Sequence, residues 1–84
     1  MKYKLIIKRE ARENLASLSP KEQKKVDEAI LKLADGFSGD VKKLKAFSPR
    51  YRLRVGNLRV LFNVNGDELY IEAIRDRKES YKKK

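Results

Sequence analysis

Ten residues near the middle of the chain, Arg50 to Arg59, constrain its fold more than any other stretch. They read Arg-Tyr-Arg-Leu-Arg-Val-Gly-Asn-Leu-Arg, so apolar and basic side chains alternate before a Gly-Asn pair. Successive side chains of a strand point to opposite faces, and a two-residue hairpin turn favours Gly and Asn. The stretch therefore predicts a hairpin of residues 51–55 and 58–64. Its apolar face pairs Val55 with Leu58, Leu53 with Val60, and Tyr51 with Phe62.

The opposite face of the same hairpin carries arginines. In the predicted register Arg54 faces Arg59, and Arg52 lies one step along the strand. Like charges in facing positions destabilise a sheet, so folding alone gives no reason for this arrangement. Guanidinium groups are permanently charged and bind phosphate through paired N–H donors. We therefore predict a phosphate-binding surface here; the alternative is a solvated outer face on which arginine stems cover apolar surface.

A second hairpin turn is predicted at Asn65-Gly66. With these two residues as the turn, Arg59 meets Glu72 on the outer face. Two roles are then open to Glu72, which either neutralises Arg59 or holds its guanidinium in position for a ligand. The other predicted pairs are Phe62 with Leu69, Val60 with Ile71, Leu58 with Ala73, and Leu61 with Tyr70.

The first part of the chain predicts one strand and two helices. Residues 2–8 form the strand, and residues 9–18 have apolar side chains at helical spacing. The second helix begins at Ser19-Pro20, where Glu22 completes a capping box, and it ends near Gly36. The charges on both helices are balanced, which is typical of solvated helix surface. The strand residues predicted to face the core are Tyr3, Leu5 and Ile7.

Residues 38–49 are predicted to form a connector, with Val41, Leu44 and Phe47 turned inward. Residues 1–84 thus make a single α+β domain of two layers. Its order is strand, helix, helix and a three-strand antiparallel meander, followed by a short basic C-terminal segment. The helices cover one face of the sheet, and the other face is open and basic.

The positive charge of the chain is concentrated in one region. The formal net charge is +10; residues 9–35 hold six basic and six acidic side chains, whereas residues 42–59 hold seven basic and no acidic ones. A one-sided basic stretch is typical of a protein that binds a polyanion. Anionic membranes and acidic proteins are alternatives, but membrane binders more often carry this charge on an amphipathic helix, so nucleic acid is favoured. The candidate residues for contacting this nucleic acid are Lys42, Lys43, Lys45, Arg50 and Arg75.

The composition also excludes several kinds of chemistry. The chain has no cysteine and no histidine, so a disulfide scaffold, an ordinary zinc site and histidine acid–base catalysis are excluded. We expect no cofactor and no metal. No apolar run approaches the length of about 18 residues that indicates a membrane span. The first residues lack a signal-peptide pattern, so we expect a cytoplasmic protein without membrane contact.

Three motifs together resemble the RelE branch of the RelE/ParE toxins. They are Lys42-Lys43-Leu44-Lys45, Tyr51-Arg52-Leu53-Arg54-Val55-Gly56-Asn57-Leu58-Arg59-Val60 and Arg77-Lys78-Glu79-Ser80-Tyr81. The order of elements is similar too, so the resemblance covers essentially the whole chain. It implies a toxin that is a ribosome-dependent endoribonuclease and cuts messenger RNA in the decoding site. It also implies a cognate antitoxin, with operator DNA bound only through the toxin–antitoxin complex.

The resemblance implies roles for individual basic residues. Arg52 and Arg54 match two basic residues on the first hairpin strand, and Arg59 matches an arginine that contacts the scissile phosphate. Arg77 matches an arginine near the C-terminus, with Arg75 as the alternative if the spacing slips. The best-known relatives have lysines at the positions of Arg52 and Arg54. Because arginine does not give up its proton, this departure puts a basic proton acceptor in doubt.

The implied reaction is attack of the RNA 2′-hydroxyl on the adjacent phosphorus, which gives a 2′,3′-cyclic phosphate. The hairpin arginines would stabilise the negative charge that develops on the phosphate oxygens. Tyr81 matches the C-terminal tyrosine of the family, where it either accepts the 2′-hydroxyl proton, stacks on a base or packs on the sheet. Arg77 would assist the leaving group.

Two further functions stay open beside the nuclease. One is a ParE-like poison of DNA gyrase on the same fold, and the other is a non-catalytic relative that only binds nucleic acid. ParE-like proteins need not carry the arginines or the terminal tyrosine, so these residues favour the nuclease. Messenger cleavage and DNA breaks after induction in cells distinguish the alternatives.

Overall fold

The computed structural model describes residues 2–45 and 50–76, which form two helices and one five-stranded sheet. The helices are α1 (Arg9–Ala16) and α2 (Pro20–Gly36). The strands are β1 (Lys4–Ile7), β2 (Asp40–Lys43), β3 (Tyr51–Val55), β4 (Leu58–Asn65) and β5 (Glu68–Asp76). The predicted α+β fold class is confirmed, while the basic segment beyond Asp76 lies outside the described residues.

The sheet has the strand order β1-β5-β4-β3-β2, so the first and last strands of the chain are neighbours. β1 pairs with β5 in parallel, and the other three pairs of neighbours are antiparallel. The core lies between the helices and one face of this sheet, and neither described helix is long and apolar enough to cross a membrane. The fully buried residues include Ala11, Val26, Leu33, Val60, Phe62, Leu69 and Ile71.

Helix α2 begins where the sequence predicts. The hydroxyl oxygen of Ser19 accepts a hydrogen bond from the Glu22 backbone N–H at 3.2 Å. In return the Ser19 backbone N–H donates to the Glu22 carboxylate at 3.4 Å, which completes the capping box. Two N–H groups that the first helical turn leaves without a partner are thereby satisfied.

Helix α2 ends at Gly36, but the residue in the left-handed conformation is Phe37, with φ 60°. A left-handed residue with a side chain costs roughly 1–2 kcal/mol. The Phe37 ring lies 5.7 Å from the Tyr3 ring, 6.0 Å from the Tyr51 ring and 5.9 Å from the Phe62 ring. These aromatic contacts offset the cost of the left-handed backbone and pack the end of α2 against the sheet side of the core.

The predicted register of the first hairpin is confirmed. Arg54 lies opposite Arg59, and Gly56 has φ 60°, as a turn residue requires. Residues that are directly opposite point to the same face, so both arginines project from the face that the helices leave open. The confirmed apolar pairs are Val55 with Leu58, Leu53 with Val60, and Tyr51 with Phe62.

The predicted register of the second hairpin is wrong. The two turn residues are Gly66 and Asp67 rather than Asn65 and Gly66. Gly66 has φ 65° and Asp67 has no positive φ, which is the pattern of a type II′ turn with glycine at its first position. Asn65 therefore pairs with Glu68. A bulge in β5 at Glu72 shifts the register once more, so that the partner of Arg59 is Arg75. The other observed pairs are Phe62 with Ile71, Val60 with Ile74, Leu58 with Asp76, and Leu61 with Ala73.

The connector predicted at residues 38–49 contains a strand. β2 pairs with β3 so that Asp40 lies opposite Arg54 and Lys42 opposite Arg52. Before the strand, Gly39 has φ 128°, and a Cβ there would lie 2.6 Å from the Leu53 side chain, so the chain needs glycine to turn into β2. Val41 and Leu44 are half-buried, as predicted, whereas Phe47 lies outside the described residues.

Candidate phosphate-binding face

Three arginines on three adjacent strands lie side by side on the open face of the sheet. Arg54 of β3 is opposite Arg59 of β4, and Arg59 is opposite Arg75 of β5. We call these residues the arginine row. Residues that are directly opposite in antiparallel strands have Cα atoms about 4.5–5.5 Å apart. The sheet therefore holds three guanidinium groups on neighbouring strands, although each facing pair is repulsive.

The two ends of the arginine row have carboxylate partners. At one end, Arg54 Nε lies 4.0 Å from the Asp40 carboxylate on β2. At the other end, Arg75 Nη2 donates to the Glu10 carboxylate of α1, and Arg75 Nη1 donates to Asn14 Oδ1 at 3.3 Å. Within residues 2–45 and 50–76, Arg59 makes no ion pair. The centre of the row is therefore its least compensated positive charge.

Glu72 does not compensate Arg59. Its carboxylate accepts a hydrogen bond from Asn63 Nδ2 at 3.1 Å, and Asn63 Oδ1 accepts from the backbone N–H of Arg50 at 2.7 Å. The predicted pair of Arg59 with Glu72 is thus wrong, because the bulge moves Glu72 out of that register. Both roles considered for Glu72 depended on that register.

Arg52 lies one row away from the arginine row, opposite Lys42 on one side and Leu61 on the other. Its Nη1 atom is buried and has no hydrogen-bond partner among the described residues. A buried N–H donor without an acceptor costs free energy, and the cost is larger for a charged group. Because the atom is inaccessible where it lies, a phosphate oxygen would satisfy it only after the Arg52 side chain has moved.

The remaining predicted residues do not all lie on this face. Lys42 shares a face with Arg52, but Lys43 is opposite Tyr51 and so points to the other side of the edge strand. Lys45 and Arg50 are exposed beyond the ends of β2 and β3. Arg77 and Tyr81 lie outside the described residues.

Tyr70 lies on the open face away from the arginine row, between Asn63 and Ile6. Its hydroxyl donates to the Glu68 carboxylate at 2.6 Å, and this hydrogen bond raises the pKa of the Tyr70 phenol. The Lys8 ammonium lies 5.8 Å from the centre of its ring. A tyrosine phenol is protonated near neutral pH even without this shift, and the raised pKa adds to that, so Tyr70 is unsuited to accept a proton.

Sequence reasoning missed Glu10 and Asn14, which hold one end of the row. Both lie on α1, whose balanced charges indicated ordinary solvated surface. Besides its bond to Arg75, Asn14 Oδ1 accepts from the Ile74 backbone N–H at 2.9 Å, across 60 positions of the chain. No local pattern signals a contact over that separation.

No family model matches the chain, but comparison with known proteins finds RelE toxins among its relatives. Toxin RelE3 of Methanocaldococcus jannaschii is 43% identical over 42 residues, which is 50% of this chain. The match spans 48% of that toxin, so the chain matches about half the length of its curated relative.

Solved structures match over nearly the whole chain. The RelB-RelE antitoxin-toxin complex of Methanococcus jannaschii gives a TM-score of 0.76 at 25% identity, covering 90% of this chain and 94% of that one. The archaeal RelE-RelB complex of Pyrococcus horikoshii gives 0.76 at 26% identity, covering 92% and 97%. The RelBE2 complex of Mycobacterium tuberculosis gives 0.80 at 21% identity, covering 92% and 93%, and this likeness concerns the fold alone.

These matches show that the chain has a RelE-like fold. The local sequence match to a RelE toxin adds to this likeness of fold. The chain is thus RelE-like in sequence as well as in structure, and the predicted resemblance is confirmed.

Proposed function

We propose that this protein is the toxin of a toxin–antitoxin pair and acts in the cytoplasm as a ribosome-dependent endoribonuclease on messenger RNA. The arginine row carries this proposal. Three arginines lie opposite one another on adjacent strands, and Arg59 at the centre lacks an ion pair among the described residues, so this face of the sheet is cationic. The likeness to RelE toxins supports the same function.

The row suits cleavage by the RNA 2′-hydroxyl. As the hydroxyl oxygen attacks phosphorus, negative charge grows on the non-bridging phosphate oxygens, and preorganised cations stabilise it most where water is excluded. Arg59 is central and binds the scissile phosphate in this scheme; Arg54 and Arg52 bind beside it. The proton-transfer roles proposed for Tyr81 and Arg77 follow from the family resemblance alone.

Dependence on the ribosome follows from what the row cannot do by itself. Cations stabilise the charge of the transition state, but they do not place the 2′-hydroxyl in line with the bond that breaks. Correct placement contributes a large part of such rate enhancements. The face is an open sheet surface rather than a cleft, so we propose that the ribosome supplies the alignment of the messenger.

The proposed antitoxin is a partner whose acidic segment covers the cationic face. RelE-like chains in the matched structures are bound to RelB chains, and those structures support a protein partner for this chain. A net charge of +10 favours association with a segment of opposite sign. An antitoxin that occupies the arginine row would exclude RNA from it.

Arg59→Ala tests the proposal. We expect this variant to lose cleavage of ribosome-bound messenger, measured by mapping RNA 5′ ends, while it keeps the circular dichroism and melting temperature of the parent. Arg9→Ala is the matched control: Arg9 is an exposed arginine of α1 that pairs with Glu13 at 3.6 Å, and its loss should leave cleavage unchanged. Normal cleavage by Arg59→Ala would overturn the proposal, and DNA breaks without messenger cleavage would favour the gyrase alternative.

A further inference from the structure

One end of the arginine row is tied to a helix rather than to a strand. Arg75 donates to the Glu10 carboxylate and to Asn14 Oδ1, both on α1, while its neighbour Arg59 has no such partner in the described part of the chain. Glu10 thus binds the Arg75 guanidinium from α1. The ion pair partly neutralises the positive charge that the register of β4 and β5 places opposite Arg59.

This contact is open to competition. The Arg75 side chain is 39% exposed and the Glu10 side chain 54% exposed, so water reaches both ion-pair partners. Exposed ion pairs contribute little net stability because solvent screens them and the side chains lose freedom. A phosphodiester offers Arg75 two acceptor oxygens in the geometry that suits a guanidinium, and it also neutralises the repulsion from Arg59.

Asn14 limits how much of the protein moves when Arg75 exchanges Glu10 for a phosphate group. Its Oδ1 also accepts the backbone N–H of Ile74 at 2.9 Å, so the main chain next to Arg75 stays fixed to α1. This backbone bond does not depend on the Glu10 contact, so Arg75 would leave Glu10, and the Asn14 oxygen to which its Nη1 also donates, with β5 still held to α1. The exchange therefore needs only side-chain rotation.

We infer that Glu10 is a positioning residue that holds Arg75 against α1 while the face is empty and yields it to a phosphate group when single-stranded nucleic acid binds. The inference rests on the proposed RNA-binding role of the arginine row. In the free protein Glu10 lowers the effective charge of the row; in the complex Arg75 adds one phosphate contact. Glu10 thereby sets how strongly the face binds a phosphate backbone.

The test compares Glu10→Gln with Glu13→Gln. Both changes remove one carboxylate from α1, but Glu13 pairs with Arg9 and not with the sheet. Binding of a short single-stranded oligothymidylate, which lacks the 2′-hydroxyl needed for cleavage, is measured across a series of salt concentrations. We expect Glu10→Gln to bind more tightly than Glu13→Gln at low salt, because Arg75 no longer has to leave a carboxylate, while the log–log salt slope stays that of the parent, because Arg75 contacts phosphate in both complexes.

A double-mutant comparison assigns the effect to Arg75. Arg75→Ala alone should make the log–log salt slope shallower by about 0.7, the value for one single-strand phosphate contact, and in this background Glu10→Gln should no longer bind more tightly than Glu13→Gln. The inference is overturned if Glu10→Gln and Glu13→Gln behave alike, or if the difference between them persists without Arg75. Melting temperatures of all variants show whether the fold is retained.

The outcomes for this inference and for the proposed nuclease are distinct. If Arg59→Ala abolishes messenger cleavage but Glu10→Gln matches its control, the nuclease stands and Glu10 has no positioning role. If Glu10→Gln binds more tightly than its control while Arg59→Ala still cuts messenger, the arginine row binds phosphate without being the nuclease site.

Discussion

Arg52 shows how a single side chain of the cationic face affects both folding and binding. Its buried Nη1 has no acceptor among the described residues, and this unmet donor costs roughly 1–3 kcal/mol in folded proteins. We expect Arg52→Met, which keeps an unbranched apolar stem, to leave the free energy of unfolding unchanged or raise it by about 1 kcal/mol. The same change should weaken messenger cleavage on ribosomes. Urea unfolding and the cleavage assay measure the two effects.

Arg54→Met is the comparison for Arg52. Arg54 is 49% exposed on the same strand and has Asp40 as a distant partner, so its replacement relieves no buried donor and should not stabilise the protein. Marked destabilisation by Arg52→Met would show that the arginine contributes to the fold, and that the buried donor is satisfied in solution.

Among the elements, α1 supports the site by covering the edge of β5. β1 pairs with β5 only as far as Ile71, and the N–H of Ile74 beyond it is bonded to the Asn14 side chain. We expect Asn14→Ala to lower the free energy of unfolding by roughly 1–3 kcal/mol, because it leaves a buried backbone donor without an acceptor. Chemical denaturation measures the change. Asn14→Asp, which keeps an acceptor oxygen, should retain most of the stability; equal losses in both variants would contradict this role.

The same elements show what could be predicted from the sequence. The first hairpin and the start of α2 follow from local rules, since Gly56 sets a two-residue turn and Ser19 with Glu22 forms a capping box. The second hairpin also has a clear turn signal, but the signal leaves open whether Gly66 is the first or second turn residue. The bulge at Glu72 has no local pattern at all, so the position of Arg75 beside Arg59 could not be predicted.

Two other features of the site depend on contacts that are distant in sequence. β2 is four residues long with Val41 as its one apolar side chain, so no alternation announces it, and its pairing with β3 is what places Asp40 beside Arg54. Glu10 reaches Arg75 across 65 positions. The basic composition of the hairpin predicts an anionic ligand, whereas the pairing of the two ends of the row with Asp40 and Glu10 depends on the folded structure.

At the scale of the whole molecule, a net charge of +10 acts over distances comparable to the protein itself. The described part measures 35 × 30 × 23 Å, and the screening length is about 30 Å at 0.01 M salt and about 10 Å at 0.1 M. At low salt, every positive charge therefore repels most of the others. The described ion pairs are few and exposed, and exposed pairs contribute little to stability. Screening of these pairs by salt therefore destabilises the fold only slightly.

We therefore expect added salt to stabilise the fold and inorganic phosphate to stabilise it further. The melting temperature should rise between 0.01 and 0.1 M sodium chloride, because screening weakens self-repulsion over this range. At equal ionic strength, phosphate should raise it more than chloride does, since an anion that binds the folded state shifts unfolding by mass action. In Arg59→Ala the chloride effect should remain, because nine of the ten net charges are still present, while the additional effect of phosphate should shrink. A melting temperature that falls with sodium chloride would mean that local ion pairs outweigh the long-range repulsion. An undiminished phosphate effect in Arg59→Ala would mean that the anion binds away from the arginine row.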